Sequence, residues 1–326
     1  MTIKTRKRIL QFSPVYQLFR WTKKVRFKKY GNVSLYRILR IFFRNLDKHE
    51  IMDRSNGVAF NFILAIFPAI IFLFTLIPYF TVYFPEINRD NILVFLKDFF
   101  PPNMYDVAST TILDIVSNQR GGLLTFGFFL AVFLSTNGML SLMRAFNSCY
   151  RTIENRSAFR MRLTATALTL TTAVVVLMAT ALLVIGQLVL DYFLSHLNEF
   201  QYINLDDFTV FLIFLTRFVV IFIVFFLAIS CIYYFGPAIH YNWRFFSFGS
   251  LMATVLSLAV SYGFSYYVTN FGTYNKVYGS IGVMIALMVY VQLITLVLLI
   301  GYEINASIHQ AVRDEALWRS RQVRKS

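Results

Sequence analysis

The residues that could do chemistry in this chain are a few polar side chains set within long apolar runs. Asn137, Ser141, Arg144 and Ser148 recur at i, i+4, i+7 and i+11, which puts them on one face of a helix. Gln292 and Glu303 stand eleven residues apart, about 20° in azimuth at 100° per residue. Arg144 follows Gly121 by 23 residues and Glu303 follows Gly279 by 24, so the two charges are expected at similar depth, with Asn61 at a comparable level. Asn147 and Asn305 flank the same two motifs. Arg217 falls nine residues after Phe208, about 14 Å along its helix and near the bilayer middle. An ionisable group inside a membrane is costly and marks function or a pinned contact. Two readings stay open: a polar cluster that binds an ion or headgroup, and an Arg144–Glu303 pair that only clamps two helices. Arg217 is read as the marker of a cavity.

Those residues need helices to position them. Of the 326 residues, 57% are hydrophobic and 14% are charged, against about 25% charged in soluble domains. An all-α, polytopic membrane protein is expected. Six spans are read at roughly 57–84, 121–148, 163–190, 208–235, 245–271 and 279–307. Between the first two lies a linker, 85–120, with Pro85, Pro101 and Pro102; short surface helices are expected there, including 92–100. Pro68 and Pro78 sit in the first span, freeing backbone carbonyls as kinked cavity-lining helices do, or without functional meaning. In the fifth span, Gly249, Ala253, Ser257, Ser261 and Ser265 recur every four residues. Such a stripe admits a closely packed neighbour.

The charges orient this bundle. Fifteen of the 31 Lys and Arg lie in residues 1–56. Loop 149–162 carries four arginines against Glu154, and the tail after 309 is basic, whereas loop 191–207 has four acids and no Lys or Arg. The positive-inside rule then places both termini and loop 149–162 in the cytoplasm. The division expected is a basic cytoplasmic or interfacial arm (1–56), a six-helix domain (57–309) and a basic cytoplasmic tail (310–326). Within the arm, Val33, Tyr36, Leu39, Phe42, Phe43 and Leu46 alternate with Arg37, Arg40, Arg44 and Lys48. This segment reads as an amphipathic helix, either lying in the interface plane or packed on the protein. Anionic lipid headgroups are the partner expected of the arm, and nucleic acid is not. No leader peptide is read at the N-terminus, which is expected to remain.

No enzyme is expected, and no cofactor or metal. The histidines (His49, His196, His240, His309) are scattered without zinc-ligand spacing. The two cysteines, Cys149 and Cys231, lack metal spacing, and a disulfide is not expected on the cytoplasmic side. There is no phosphate-cradling glycine loop and no G-x-S-x-G elbow.

Three segments carry a family resemblance: Phe60-Asn-Phe-Ile-Leu-Ala-Ile-Phe-Pro68, Ser135-Thr-Asn-Gly-Met-Leu-Ser-Leu-Met-Arg-Ala-Phe-Asn-Ser-Cys-Tyr150, and Tyr278-Gly-Ser-Ile-Gly282 followed by Gly301-Tyr-Glu-Ile-Asn-Ala306. Together they span about 40–310 and resemble the YihY/BrkB family of bacterial inner-membrane proteins. The family's usual Ala-Glu-Leu-Asn is here Tyr302-Glu-Ile-Asn305, which keeps the Glu and Asn. The resemblance implies a six-helix inner-membrane protein. Some members carried an old ribonuclease label, and others are linked to virulence or serum resistance. The working function is a transporter-like protein that moves or binds a lipid or small solute. The alternative is a membrane scaffold that organises envelope proteins without transport.

Overall fold

A computed structural model describes residues 22–27, 33–48, 50–80, 114, 120–149, 154–197, 207–238, 245–270 and 280–323. A two-residue β-ladder, β1 (Arg26–Phe27) antiparallel to β2 (Val33–Ser34), leads into α1 (Leu35–Lys48). The bundle itself is α2 (Ile51–Phe80), α3 (Gly121–Cys149), α4 (Ala158–Leu197), α5 (Asp207–Phe235), α6 (Phe248–Asn270) and α7 (Ser280–Val323). These six are long and apolar enough to cross a membrane. The linker helices expected at 92–100, the basic segment before Thr22, and His49 and His240 lie outside the described residues.

Several boundaries differ from the sequence reading: α4 runs Ala158–Leu197 rather than 163–190, and α2 and α7 differ for identifiable reasons. α2 begins at Ile51 rather than 57, because Glu50 takes a left-handed φ of 45° that ends α1 and lets a new helix start at once. α7 continues sixteen residues past 307, because its extension has a partner: Ile304, Ile308, Ala311 and Val312 pack against Val33, Ile38 and Ile41. Arg37 and Glu315 form an ion pair across the same contact. α1 therefore docks on α7 through one stripe. Its other face leaves Phe43 64% exposed beside exposed Arg40 and Arg44.

The bundle is a ring in chain order. Each helix packs on its sequence neighbours, and α7 closes the circle on α2 while also touching α1 and α3. The closest seam is α6 on α7, where the small-residue stripe lies. A Cβ added at Gly301 would fall 2.6 Å from both the Ala253 Cβ and the Tyr233 hydroxyl, so only glycine admits this approach. Further along, Ser261 and Tyr290 hydroxyls meet at 2.9 Å.

The main core lies at one end of the ring, the near end, which carries α1: Val58, Met143, Phe146, Ala165, Ile232, Tyr233, Ala253, Leu299 and Tyr302. In the far half, positions on the same inward faces are part-exposed. Phe128 lies eighteen residues before Phe146, at the same azimuth, and is 40% exposed. Val219 precedes Tyr233 by fourteen residues, as Met288 precedes Tyr302, about 40° off in azimuth, and both are exposed. The core is densest near α1; in the far half α2 still meets α3 at Phe72 and Phe128 and α6 still meets α7 at Ser261 and Tyr290, while Phe128, Val219 and Met288 remain part-exposed.

Candidate functional site

Three alternate helices meet on the ring axis. Phe146 (α3), Tyr233 (α5) and Tyr302 (α7) are each at most 2% exposed. Phe146 stacks on Tyr302 with centroids 4.3 Å apart, and Tyr233 meets both edge-on at 5.4 and 5.5 Å. Offset stacking and edge contacts are the arrangements the ring quadrupole favours. A buried phenol needs a polar partner, and Tyr233 donates to the Leu298 carbonyl at 2.5 Å. The three rings form an aromatic plug.

A polar chamber follows immediately. Glu303, one residue past Tyr302, is 0% exposed. A carboxylate so placed would be prohibitively costly without donors. The Asn45 amide of α1 donates to its Oε1 at 2.8 Å, and Ser307 lies 3.3 Å from the same oxygen. Asn45 also donates to Gln310 at 3.1 Å, so one amide ties α1 to both turns of α7. The Cys149 thiol lies beside both the Glu303 carboxylate and the Arg54 guanidinium. Arg54 keeps a buried Nη1 that meets no acceptor among the described residues. The chamber thus combines an anion, a cation with donor capacity in hand, an amide and a hydroxyl. Such a set can grip a small charged group or pass a proton. Among the described residues, no group of three or more His, Cys, Asp or Glu is placed to hold a metal ion.

The polar residues singled out in the sequence do not gather in this chamber. Glu303 is in it. Arg144 is exposed and does not reach Glu303; on α3 it stands about 160° round from Phe146. The expected Arg144–Glu303 clamp is therefore corrected: the arginine near Glu303 is Arg54. Asn61 donates to the Gly57 carbonyl at 2.8 Å and lies 3.4 Å from Ser141. Asn137 accepts from Arg162 at 2.6 Å. Asn147 donates to Glu154 at 2.8 Å and accepts from the Ala238 amide at 2.9 Å, tying the end of α3 to two loops. Gln292 donates to Asn56 at 2.7 Å. Asn305 accepts from the Gly249 amide at 2.8 Å and donates to Ser247 at 2.8 Å, satisfying the start of α6 from across the seam. Arg217 is exposed and sits sixteen residues before Tyr233, about 160° round α5 from it, so it faces away from the ring axis rather than lining a cavity.

Comparison with known proteins gives one family. The family description virulence factor BrkB matches residues 42–325, nearly all of the chain. The protein belongs to the BrkB family. The ribonuclease-like protein YfkH of Bacillus subtilis is 31% identical over 276 residues, covering 83% of this chain and 95% of YfkH. A UPF0761 membrane protein of Tolumonas auensis is 32% identical over 81 residues, 25% of this chain and 27% of that protein. One of Vibrio cholerae is 30% identical over 87 residues, 27% of this chain and 29% of its own length. No solved structure matches.

In this BrkB-family chain the sequence motifs frame the plug and chamber more than they fill them. Ser135–Tyr150 supplies Phe146 and Cys149, and Gly301–Ala306 supplies Gly301, Tyr302, Glu303 and Asn305. Phe60–Pro68 supplies Phe62, whose ring packs against Gly138 where α2 meets α3. The functional residues missed by sequence reasoning are Arg54, Asn45, Ser307 and Gln310. The sequence reading places Arg54 in the basic arm, since it starts the first span at 57; Arg54 precedes Asn61 by seven residues, within about 20° of the same helix face. That periodicity was the available signal. Nothing local marks Asn45 as a partner of a residue 258 positions away.

Proposed function

We propose that this BrkB-family membrane protein is a transporter-like protein of the bacterial inner membrane that binds and moves a lipid or small solute along the ring axis. One observation carries the reading: the order of part-exposed apolar positions (Phe128, Val219, Met288), an aromatic plug, and a buried polar chamber capped by α1. An apolar vestibule suits a substrate with an apolar body, and the chamber suits a charged group on it. The plug closes the path in this conformation, and Asn45 makes the position of α1 sensitive to the state of Glu303. The loop charges support an orientation with α1, the α3–α4 loop and both termini in the cytoplasm, so the vestibule opens outward. The free face of α1, with Phe43, Arg40 and Arg44, is suited to anionic headgroups. The printed name of YfkH suggests a nuclease, but no constellation of side chains among the described residues supports hydrolysis, and we propose no enzymatic step.

Two measurements test this. In a variant with Cys149→Ser and Cys231→Ser, Asn204→Cys and Asn275→Cys react with an impermeant thiol reagent added outside spheroplasts, and Asn155→Cys does not; the reverse pattern overturns the orientation. In proteoliposomes with fluorophore-labelled phosphatidylglycerol in the inner leaflet, the lipid becomes accessible to an external reductant faster than in protein-free vesicles. Tyr302→Ala changes that rate. If the wild-type rate equals that of protein-free vesicles, for this lipid and for a panel of radiolabelled small solutes, the scaffold reading replaces transport.

A further inference from the structure

Outside the ring, α3 and α4 enclose a groove of about 470 Å³ lined by Phe126, Phe129, Leu130, Val132, Phe133 and Thr136 of α3 with Arg162 and Thr166 of α4. Its walls are apolar over most of their length and polar at one end. That end is built around Arg162. Its guanidinium donates to Asn137 at 2.6 Å and lies 4.4 Å above the Phe133 ring. Two contacts on different groups hold the planar fork still, while most of its five donors remain unused among the described residues. Arg162 is therefore preorganised, which lowers the entropic cost of gripping an anion.

Depth and charge single out one occupant. Thr136 and Thr166 hydroxyls meet at 3.5 Å, which puts the two helices in register there. Counting eight residues back along α4 reaches Ala158, and eight forward along α3 reaches Arg144, so Arg144 stands level with the start of α4. Arg144 lies within about 20° of Asn137 in azimuth, on the groove side of α3, and is exposed. Two arginines thus stand at the near-end mouth, one at the helix boundary and one about a turn deeper. α3 carries no Asp or Glu, and α4 carries none before Asp191. The nearest acid in the adjoining loop, Glu154, is held by Arg156 and Asn147. Unbalanced cations beside an apolar channel match a molecule with an anionic head and apolar tails. Basic sites between helices on the cytoplasmic side take such headgroups.

We propose that the α3–α4 groove is a binding site for an anionic phospholipid. The phosphate sits between Arg162 and Arg144, and one acyl chain runs along Phe133, Leu130, Phe129 and Phe126 toward the far end. Arg162 makes the directional contact through its planar fork, and Arg144 supplies charge at the rim. The site lies outside the ring and stands whether or not the ring transports anything.

The test uses the full-length protein in detergent, delipidated, with phosphatidylglycerol or phosphatidylcholine of matched chains and native mass spectrometry as readout. The wild type retains phosphatidylglycerol in preference to phosphatidylcholine. Arg162→Gln lowers phosphatidylglycerol retention roughly tenfold, as loss of a charge-assisted contact does, and Arg162→Lys restores part of it. Leu130→Trp fills the groove, keeps both arginines, and also lowers retention. Arg217→Gln, an exposed arginine on another helix, leaves retention unchanged. Each variant is checked for an unchanged elution volume, and Arg144→Gln replaces Arg162→Gln if the latter does not fold. Equal retention of the two lipids, or phosphatidylglycerol retention indifferent to both arginine variants, overturns the proposal. So does binding of soluble glycerol phosphate as tight as that of the lipid, since the apolar groove would then contribute nothing.

Discussion

At the near end Phe146 is buried between Tyr233 and Tyr302; eighteen residues earlier, on the same side of α3, Phe128 is 40% exposed. The two halves of the ring are made of similar residues, and the difference lies in what the backbone permits. Near α1 the seams are closed by Gly301, Ala253 and Gly249 on one side and by Gly138 under Phe62 on another. In lipid there is little hydrophobic drive between helices, so close backbone approach sets where they adhere. Farther along, contact is kept at single points, Gly127 against Phe72 and Ser261 against Tyr290, with larger apolar side chains between them part-exposed. The polar groups follow the same division, since Glu303, Asn45 and Ser307 are enclosed where the helices touch.

Truncation on the two ends should separate them most sharply. Phe146→Ala removes a fully buried ring and should cost about 3–5 kcal/mol, whereas Phe129→Ala, 64% exposed, should stay within about 0.5 kcal/mol. Thermal unfolding in detergent measures both, and similar losses would dissolve the contrast.

Glu303→Ala leaves the Asn45 amide and the nearby Arg54 without their buried anion. A loss approaching the roughly 3–5 kcal/mol typical of a broken buried charge pair is expected. Glu303→Gln, which keeps an oxygen for Asn45, should lose less. Equal melting temperatures for the two variants would mean that the oxygen and volume kept by glutamine contribute nothing, whereas a glutamine variant as stable as the wild type would mean that the charge contributes nothing.

Gly301→Val tests the seam rather than the chamber. Its Cβ meets Ala253 and Tyr233 at 2.6 Å, so overpacking of about 1–3 kcal/mol is expected. Gly263→Val, on the far half of α6, meets no atom within 4 Å and should be nearly silent. A silent Gly301→Val would show that the seam is loose.

The smallest effect concerns the α3–α4 loop. Hydrogen bonding to Arg156 holds the Glu154 carboxyl below its usual value of 4.5. A depressed folded-state pKa contributes stability that is full above the unfolded value and is lost as pH falls through the folded one. Melting temperature should therefore decline below about pH 4.5 more steeply in the wild type than in Arg156→Gln. Parallel acid branches would mean that this staple adds nothing to the closed end.

The six spans were legible in the sequence because a run of about 20 apolar residues is a local property that lipid reads directly. The α6 stripe was legible for the same reason, since small residues every four positions predict a close neighbour whatever that neighbour is. Azimuth was not. A helix apolar all round has no polar face to orient it, so the face bearing Asn137 and Arg144 could be assigned inward or outward equally well. The tertiary structure turned it outward, put Arg54 near Glu303, and turned Arg217 away from the axis. It also decided two helix ends, since α7 runs past 307 where α1 packs on it through Ile308, Ala311 and Val312. Composition and spacing determined which segments enter the membrane; the pairing of residues hundreds of positions apart, such as Asn45 with Glu303, was decided only by packing.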